Sequence, residues 1–247
     1  MVKPYLSIII PAFNEAKRLP VVLIDVDRYL AELGYSSEII VVNDGSTDKT
    51  EEIINRFRLL IPNLRRVSWE KNKGKGVAIR AGMRGARGNW RLVMDADGAI
   101  KISEFNKVIP FIKENYDIII ASRIKGSRIK NFPFWRRLAE FKLNIFARLM
   151  LPSRIRDFLI GFQCYSEAAA EEIFPRTRFI NADLQIEALA IGERSGFKIK
   201  EIPVQAIHNI ESRFKFVNYF IFAWSIIRLR RWLKDNGYEF SSRLKKS

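Results

Sequence analysis

Short apolar runs of strand length alternate with longer amphipathic segments through the first half of the chain. The sequence predicts strands at residues 5–10, 38–42, 65–69, 90–94 and 117–121. Between them it predicts helices at residues 15–33, 50–60, 74–86 and 105–114. Strands and helices that alternate in this way form a mostly parallel sheet with helices on both faces, because each helix returns the chain to the start of the next strand. The predicted fold class is therefore α/β.

Composition excludes several classes of protein and of site. With 48% hydrophobic residues, the 247-residue chain is neither disordered nor collagen-like. A single cysteine, Cys164, rules out a disulfide framework and a multi-cysteine zinc site, and it is predicted to be a buried thiol. A single histidine, His208, argues against a histidine-based metal site and a Ser-His-Asp triad.

The chain carries a large positive charge. Forty-three Lys and Arg against 27 Asp and Glu give a formal net charge of +16. Such a charge indicates an anionic partner: a nucleic acid, a phosphorylated small molecule or an acidic membrane surface. The longest nearly apolar stretch, residues 216–227, would form a helix of about 18 Å, against a hydrocarbon core of about 30 Å. We therefore do not expect this stretch to span a membrane alone.

Two aspartates follow the fourth predicted strand. Ligands bind beyond the carboxyl ends of the strands in sheets of this kind, and Asp95 and Asp97 lie there. Residues i and i+2 of an extended backbone point the same way, so the two carboxylates would repel each other unless a cation lay between them. Hard oxygen ligands favour Mg²⁺ or Mn²⁺, which substrate phosphates usually complete. The alternative is a solvated acidic turn.

Two further loops contain polar residues suited to a nucleotide. Asp44 closes the second strand, where a carboxylate could accept hydrogen bonds from a base or a ribose. The alternative there is a turn built from Asn, Asp and Gly, with Asp48 capping the next helix. Residues 72–76, Asn-Lys-Gly-Lys-Gly, form a basic glycine loop before a helix, which favours anions. The alternative is a flexible basic turn.

Four segments together carry a family resemblance. They are Pro11-Ala-Phe-Asn-Glu15, Val42-Asn-Asp-Gly-Ser-Thr-Asp48, Asn72-Lys-Gly-Lys-Gly76 and Asp95-Ala-Asp97. In this order and spacing the chain resembles the family-2 glycosyltransferases, with the glycosyltransferase A-type fold, over roughly residues 5–125. The resemblance implies a nucleotide-sugar site made of Pro11, Ala12, Asn14, Glu15, Asp44, Lys75, Asp95 and Ala96. It also implies that Asp95 and Asp97 hold the donor diphosphate through Mg²⁺ or Mn²⁺.

The segment Asp95-Ala-Asp-Gly-Ala99 resembles the polyprenyl (dolichyl)-phosphate glucosyltransferases within that family. Later segments, at residues 121–123, 157–163, 183–187 and 201–204, fit both these enzymes and the sister mannosyltransferases. Ile100 stands where Thr is frequent, which leaves the sugar open between UDP-glucose and GDP-mannose. No Gln-x-x-Arg-Trp motif follows, which argues against a processive polysaccharide synthase.

The charge state of the acceptor decides what the site must supply. A hydroxyl acceptor needs a base, whereas a phosphate monoester is already ionised at neutral pH and needs cations to position it. Arginine is suited to this because its fork binds phosphate through two hydrogen bonds. The resemblance and the basic segments place the acceptor phosphate among Ser122, Arg123, Arg136, Arg137 and Arg213. Catalytic roles are expected for Arg123 and Arg213 beside the two aspartates, with inversion at the anomeric carbon.

Two other functions stay open from the sequence. A metal-dependent glycosyltransferase could act on a hydroxyl of a glycan, lipid or protein, with Asp183 or Glu187 as the base. A non-enzymatic protein could use the positive charge to bind nucleic acid. We expect no nucleic-acid partner, because the basic residues concentrate on amphipathic segments. The sequence predicts no oligomeric state.

The second half of the chain is basic and amphipathic. Residues 122–156 carry ten Lys or Arg and one acid, Glu140. The helices predicted at 133–151 and 214–233 combine aromatics and Leu with basic residues, which is typical of an interfacial helix. The alternative is two core helices with a solvated basic face. The interfacial reading predicts a cytoplasmic protein held peripherally at the cytoplasmic face of an anionic membrane.

The expected organisation is one catalytic domain with a C-terminal elaboration. The catalytic domain covers residues 1–211, with a nucleotide-sugar half at 1–122 and an acceptor half at 123–211. A basic amphipathic helix and tail follow at 212–247. In the acceptor half, a helix is predicted at 183–195 and a strand at 197–204.

Overall fold

The computed structural model describes residues 3–123, 128–130, 134–207 and 217–235. The strands are β1 (Leu6–Ala12), β2 (Ser37–Asp44), β3 (Leu64–Trp69), β4 (Trp90–Val93), β5 (Ile118–Ser122), β6 (Arg128–Lys130), β7 (Gln163–Ser166), β8 (Ile199–Pro203) and β9 (Gln205–Ile207). The α-helices are α1 (Leu19–Leu33), α2 (Thr50–Leu60), α3 (Lys75–Gly85), α4 (Ile109–Lys113), α5 (Phe134–Met150), α6 (Glu167–Ile173), α7 (Leu184–Arg194) and α8 (Val217–Lys234). Short 3₁₀ helices cover Ile102–Lys107 and Phe174–Arg176.

Seven strands form one sheet in the order β3-β2-β1-β4-β7-β5-β8. Every neighbouring pair is parallel except those of β7, which runs antiparallel between β4 and β5. Strands β6 and β9 form a separate parallel pair. The predicted α/β class, with a mostly parallel sheet and helices on both faces, is confirmed.

The register of the central strands determines where the functional loops meet. Ile9 of β1 lies opposite Ile40 of β2 on one side and Val93 of β4 on the other. Because the three strands are parallel and in step, their carboxyl ends reach the same edge of the sheet. The loops that follow them, which contain the aspartate pair and the first two motifs, therefore lie side by side.

Alternate residues of β1 contribute to two separate cores. Ile9 packs into a core under α3, α5, α6, α7 and α8, whereas Ile8 and Ile10 pack into a core under α1, α2 and the 3₁₀ helix at residues 102–107. Successive side chains of a strand point to opposite faces, so a strand covered on both sides must be apolar throughout. This explains the unbroken Ile and Val runs that mark the strands in the sequence.

Strand β7 was not predicted. It contains Cys164, whose side chain is fully buried as expected, and burial raises the pKa of its thiol. Its register places Cys164 opposite Leu92 of β4 and Ile119 of β5. This central position makes β7 the strand that joins the two halves of the sheet.

Helices α5 and α8 pack against each other and each has two apolar faces. Leu143 and Ala147 of α5, and Ile226 and Leu229 of α8, are buried in the core. Other large apolar side chains on the same helices are exposed: Phe134, Trp135, Leu138, Phe141, Ile145 and Leu149 on α5, and Phe220, Ile221 and Trp224 on α8. Within the described residues, no helix has the length and apolar content needed to cross a membrane.

Candidate active site

A cleft of about 430 Å³ opens at the carboxyl edge of β1, β2 and β4. It brings together eight of the residues predicted from the sequence: Pro11, Ala12, Glu15, Asp44, Lys75, Asp95, Ala96 and Asp97. These residues come from three strand ends and from the start of α3. The cleft is therefore the place where the fold concentrates the predicted nucleotide-sugar residues.

Asp95 is held between a cation and a glycine. The Nζ atom of Lys75 lies 2.5 Å from Oδ1 of Asp95, and both side chains are about one-third exposed to the cleft. On the other side, a Cβ atom built on Gly161 would lie 2.1 Å from Oδ2 of Asp95. Only glycine leaves room for the carboxylate in this position, so the backbone at Gly161 limits where the Asp95 side chain can lie.

Asp97 lies in a setting that favours a neighbouring cation. Burial raises the pKa of its carboxyl, and the negative charge of Asp95 raises it further. Opposing these effects, Ala99 N donates a 3.0 Å hydrogen bond to Oδ1 of Asp97, and Lys75 and Arg18 add positive charge. A carboxylate whose ionisation is opposed by a second carboxylate gains most from a cation shared by both.

The pair fits a divalent cation that takes its other ligands from phosphate and water. In the part of the chain that the structure describes, no three or more Asp, Glu, His or Cys side chains are grouped closely enough to hold a metal by themselves. Mg²⁺ in particular is usually bound by one or two carboxylates plus substrate phosphates, and Mn²⁺ accepts the same oxygen ligands. Asp95 and Asp97 are the residues that would hold it.

The raised pKa of Asp97 predicts how cation binding depends on pH. A carboxylate binds the cation in its ionised form, and a raised pKa keeps Asp97 protonated to a higher pH than an ordinary aspartate, whose pKa is about 3.9. We expect the affinity for Mn²⁺ in the presence of UDP to fall as the pH is lowered, and to begin falling above the ordinary aspartate range. Calorimetric titrations at a series of pH values measure this, and a flat affinity down to about pH 4 would contradict it.

Asp44 organises the glycine loop. Its Oδ1 atom accepts hydrogen bonds from Trp69 Nε1 at 2.7 Å and from Lys73 N at 2.8 Å, and its Oδ2 atom accepts one from Gly74 N at 3.0 Å. The side chain lines the cleft although the residue is only 2% exposed. Its predicted contact with base or ribose stays a prediction, and the structure adds the role of fixing the loop beside it.

The glycines of residues 72–76 make room for the neighbouring backbone at residues 180–181. A Cβ atom on Gly74 would lie 2.3 Å from the carbonyl oxygen of Ile180, and one on Gly76 would lie 2.5 Å from that of Asn181. The same Ile180 carbonyl accepts hydrogen bonds from Gly76 N and Val77 N at 2.8 and 3.2 Å. The amino terminus of α3 therefore binds the 180–181 segment, and Lys75 supplies the positive charge that faces the cleft.

Asn14 joins two loops. It adopts a left-handed backbone conformation, with φ of 53°, and its Oδ1 atom accepts a 2.7 Å hydrogen bond from Thr47 N. Its own N–H donates to Ser46 Oγ at 2.9 Å. Unlike the other predicted donor residues, Asn14 is not in the cleft lining. The structure therefore ties it to the shape of the site, and direct contact with the donor stays a prediction.

Arg123 lies in a buried ion-pair network outside the cleft lining. Its guanidinium donates to both carboxylate oxygens of Asp157 at 3.1 Å, and its Nη1 atom lies 3.0 Å from Oε2 of Glu140. Burial lowers the pKa of Arg123, but the charges of Asp157 and Glu140 outweigh that effect and raise the pKa above its ordinary value. Glu140 is the one acid in the basic segment 122–156, and its ion pair with Arg123 explains its presence there. The predicted contact of Arg123 with an acceptor phosphate stays a prediction.

Of the other predicted acceptor residues, only Ser122 has a side chain within the described part of the chain. Ser122 ends β5 and is buried, next to Arg123. Arg136 and Arg137 belong to the first turn of α5, but their side chains lie outside the described part. Arg213 and His208 lie outside the described residues altogether. A phosphate site formed by these arginines stays a prediction.

The two acids considered as bases for a hydroxyl acceptor lie inside the protein. Glu187 is fully buried, and its two carboxylate oxygens accept hydrogen bonds from Arg178 N and Phe179 N at 2.8 and 2.9 Å. Asp183 is 5% exposed and accepts a 2.6 Å hydrogen bond from Ser225 Oγ of α8. Glu187 is thus used to hold the 178–179 backbone, and Asp183 ties the start of α7 to α8.

Six cleft residues are not among those predicted to bind the donor: Phe13, Arg18, Asn72, Gly74, Ala78 and Asn181. Phe13, Asn72 and Gly74 belong to motifs identified in the sequence, whereas the other three do not. Arg18 is the most informative, because it forms two hydrogen bonds, of 2.6 and 2.7 Å, with the carboxylate of Glu15 and places a positive charge near Asp97. The three-residue spacing from Glu15 is that of an ion pair on a helical turn, which could have identified it. Nothing in the sequence places Asn181 beside residues a hundred positions earlier.

Comparison with known proteins identifies the family of this chain. Residues 7–174 match the family described as Glycosyl transferase family 2. A dolichyl-phosphate beta-glucosyltransferase of Trichomonas vaginalis is 35% identical over 211 residues, which are 81% of this chain and 65% of that protein. The enzymes of the same name from Dictyostelium discoideum and Saccharomyces cerevisiae are each 31% identical to this chain, and the alignments cover 65% and 66% of their respective lengths. The chain thus spans just under two thirds of the length of these relatives.

A solved structure confirms the fold. Glucosyl-3-phosphoglycerate synthase from Mycobacterium tuberculosis, in complex with Mn²⁺, uridine diphosphate and phosphoglyceric acid, superposes with a TM-score of 0.69 over 96% of this chain and 80% of that one, at 18% identity. This likeness confirms the predicted glycosyltransferase A-type fold. The family match over residues 7–174, more than half of the chain, shows that the chain belongs to glycosyl transferase family 2.

Proposed function

We propose that this glycosyltransferase transfers glucose from UDP-glucose to a polyprenyl (dolichyl) phosphate, with inversion at the anomeric carbon. The observation that carries the proposal is the cleft in which Lys75, Asp95 and Asp97 meet the loops of β1 and β2. The choice of glucose over mannose follows the curated relatives, which are named dolichyl-phosphate beta-glucosyltransferases. The choice of a uridine nucleotide follows the structural neighbour crystallised with uridine diphosphate.

Different cleft residues would bind different parts of the donor. The loops after β1 and β2, with Pro11, Ala12 and the Asp44-anchored glycine loop, form the part that would receive the base and ribose. Lys75 and Arg18 supply positive charge where the diphosphate would lie. A divalent cation bound by Asp95 and Asp97 would neutralise the charge that develops on the leaving diphosphate.

A phosphate acceptor suits the residues of this site. A phosphate monoester is ionised at neutral pH and can attack the anomeric carbon without first losing a proton to a base. The two acids weighed as bases are both buried and take part in hydrogen bonds within the protein. A cationic site is then enough to hold the acceptor, and the excess of basic residues in 122–156 can supply it.

The lipid part of the acceptor requires a membrane surface nearby. The exposed apolar side chains of α5 and α8 form one candidate docking surface, defined here by Phe134, Leu138, Phe141, Ile145 and Leu149 of α5 and by Phe220, Ile221 and Trp224 of α8. Exposing eight large apolar side chains, four of them aromatic, to water costs free energy. Such a set on two packed helices is typical of helices that lie at a membrane interface. We propose that this docking surface lies on an anionic membrane, from the cytoplasmic side as the sequence predicts.

Removing apolar side chains from the docking surface should weaken membrane binding. We expect the double substitution Phe141→Ser and Trp224→Ser to reduce flotation with vesicles of phosphatidylserine and phosphatidylcholine by about tenfold or more, because each side chain loses a favourable transfer of apolar area. The control, Leu59→Ser, removes an even more exposed apolar side chain from α2, outside the docking surface, and should float like the wild type. If the double variant, the control and the wild type all float equally, this surface does not bind the membrane.

Product analysis tests the reaction itself. The full chain is incubated with Mg²⁺ or Mn²⁺, a short prenyl phosphate and a panel of nucleotide sugars that includes UDP-glucose and GDP-mannose. We expect the β-linked prenyl phosphate glucose from UDP-glucose, with anomeric configuration read by NMR. Transfer only from GDP-mannose would overturn the choice of sugar, and an α-linked product would overturn inversion.

A further inference from the structure

Among the described side chains of α5, Glu140 and Asn144 are polar and lie on its inner face. Asn144 is 4% exposed, and the Glu140 side chain is 13% exposed, while the apolar docking surface occupies the outer face of the same helix. Burying a polar side chain costs free energy unless it finds hydrogen-bond partners. The partners of these two residues therefore identify what the inner face holds in place.

Both residues are connected to the loop at residues 157–162, which precedes β7: Asn144 directly and Glu140 through Arg123. Oδ1 of Asn144 accepts a 2.9 Å hydrogen bond from Phe158 N. Glu140 reaches the same loop through Arg123, whose Nη1 atom lies 3.0 Å from Oε2 of Glu140. The loop is thus attached to α5 at two points.

Arg123 connects Glu140 to the loop firmly. Its Nε and Nη2 atoms donate to the two oxygens of Asp157, and Nη2 also donates to the carbonyl of Leu159 at 3.1 Å. Arg123 N donates to Oδ2 of Asp157 at 3.0 Å as well. Charge-assisted hydrogen bonds with this fork geometry fix both position and orientation of the residues that they join.

The far end of the loop reaches the carboxylate pair. Gly161 lies so close to Asp95 that a Cβ atom there would be 2.1 Å from Oδ2 and 2.7 Å from Oδ1. A shift of the loop by about an ångström toward Asp95 would displace the carboxylate, and a shift away would release it from its present rotamer. The position of the loop therefore determines where Asp95 can hold a cation.

We infer that Glu140 and Asn144 are positioning residues for the carboxylate pair. From the inner face of α5 they hold the 157–162 loop, through Arg123 and Phe158 N, and the loop in turn holds the carboxylate of Asp95 for the cation-bound diphosphate of the donor. This inference rests on the proposed function, because it takes Asp95 and Asp97 to bind that diphosphate. It gives α5 a second role beside its outer apolar face.

The inference is tested by binding, without turnover. UDP is titrated into the full chain in the presence of saturating Mn²⁺, and the affinity is measured by calorimetry. We expect Glu140→Ala and Asn144→Ala each to weaken UDP affinity at least about fivefold, as the loss of one buried hydrogen-bonded contact to the loop would do. Glu140→Gln retains an oxygen acceptor for Arg123 and should recover most of the affinity.

Controls separate positioning from general damage. Lys142→Ala, an exposed substitution on the same helix, should bind UDP like the wild type. Circular dichroism melting shows whether each variant is folded. If an alanine variant is unfolded, Asn144→Ser replaces it, because a serine hydroxyl is too short to reach Phe158 N and should still weaken binding.

Failure of the positioning role and failure of the proposed function would give different results. Folded Glu140 and Asn144 variants that bind UDP and Mn²⁺ like the wild type would overturn the positioning role. Wild-type protein that binds UDP equally well with and without Mn²⁺ would instead overturn the cation-bound donor of the proposed function.

Discussion

Replacing Asp97 by Asn is expected to lower kcat/KM for sugar transfer by about 10³-fold or more, the scale on which removing a charged group from a developing transition state acts. Asn has the same shape and retains an Oδ1 atom to accept the 3.0 Å hydrogen bond from Ala99 N. The substitution removes only the negative charge that the cation would share with Asp95. Because burial and Asp95 already oppose ionisation of Asp97, removal of this charge should not destabilise the fold.

The matched control for Asp97→Asn is Glu32→Gln. It also removes one negative charge, from an exposed position at the end of α1, and should leave kcat/KM unchanged. Initial rates with UDP-glucose and a short prenyl phosphate measure both variants. Turnover near the wild-type rate in a folded Asp97→Asn protein would remove the carboxylate pair from the mechanism.

Replacing Gly161 by Ala is expected to lower kcat/KM by about 10²-fold, the loss that follows from misplacing a reacting or binding group by about an ångström. The added methyl group would lie 2.1 Å from Oδ2 of Asp95, so either the carboxylate rotates or the loop withdraws. Both changes move a cation ligand. We therefore expect the affinity for Mn²⁺ in the presence of UDP to fall together with the rate.

Gly85→Ala is the matched control for Gly161→Ala. No other side chain or backbone atom would lie within 4 Å of a Cβ atom at Gly85, which ends α3. Ala is favoured over Gly in a helix by up to about 1 kcal/mol, so this variant should be at least as stable as the wild type. If the Gly161→Ala protein has the rate and the Mn²⁺ affinity of the wild type, the prediction is wrong, because the site then tolerates displacement of Asp95.

The arrangement of the cleft could be predicted where strand direction alone decides it. Parallel strands bring their carboxyl ends to one edge, so residues that follow β1, β2 and β4 had to meet once the alternation of strands and helices was recognised. This is why Asp44, Asp95 and Asp97 were placed together correctly. Their polar character at the end of an apolar run is visible without any knowledge of packing.

Contacts across the fold could not be predicted in this way. The sequence predicts a basic glycine loop at residues 72–76, but it contains no sign that the backbone at residues 180–181 packs against Gly74 and Gly76, because only tertiary packing brings these segments together. The antiparallel strand β7 was missed because Gln163–Ser166 is short and begins and ends with polar residues. Burial of β7 on both faces depends on strands that lie far away in the chain.

The two faces of α5 illustrate the same limit. Phe134, Leu138 and Phe141 follow helical spacing and share one row of α5, but spacing does not tell which row of a helix faces the core. The structure buries Asn144 and exposes Phe134, Leu138 and Phe141. Burial of Asn144 becomes favourable only because the 157–162 loop offers it a hydrogen-bond partner, and no local pattern contains that information.

Comparison of two acceptors that differ only in the phosphate tests the central claim most directly. The full chain is given UDP-glucose and Mn²⁺ with either a short prenyl phosphate or the corresponding prenyl alcohol, and the glucosylated product is quantified by mass spectrometry. An acceptor that is already ionised needs no base, so we predict transfer to the prenyl phosphate and none above background to the alcohol. Transfer to the alcohol at an equal or higher rate would contradict the account and point to a base such as Asp183.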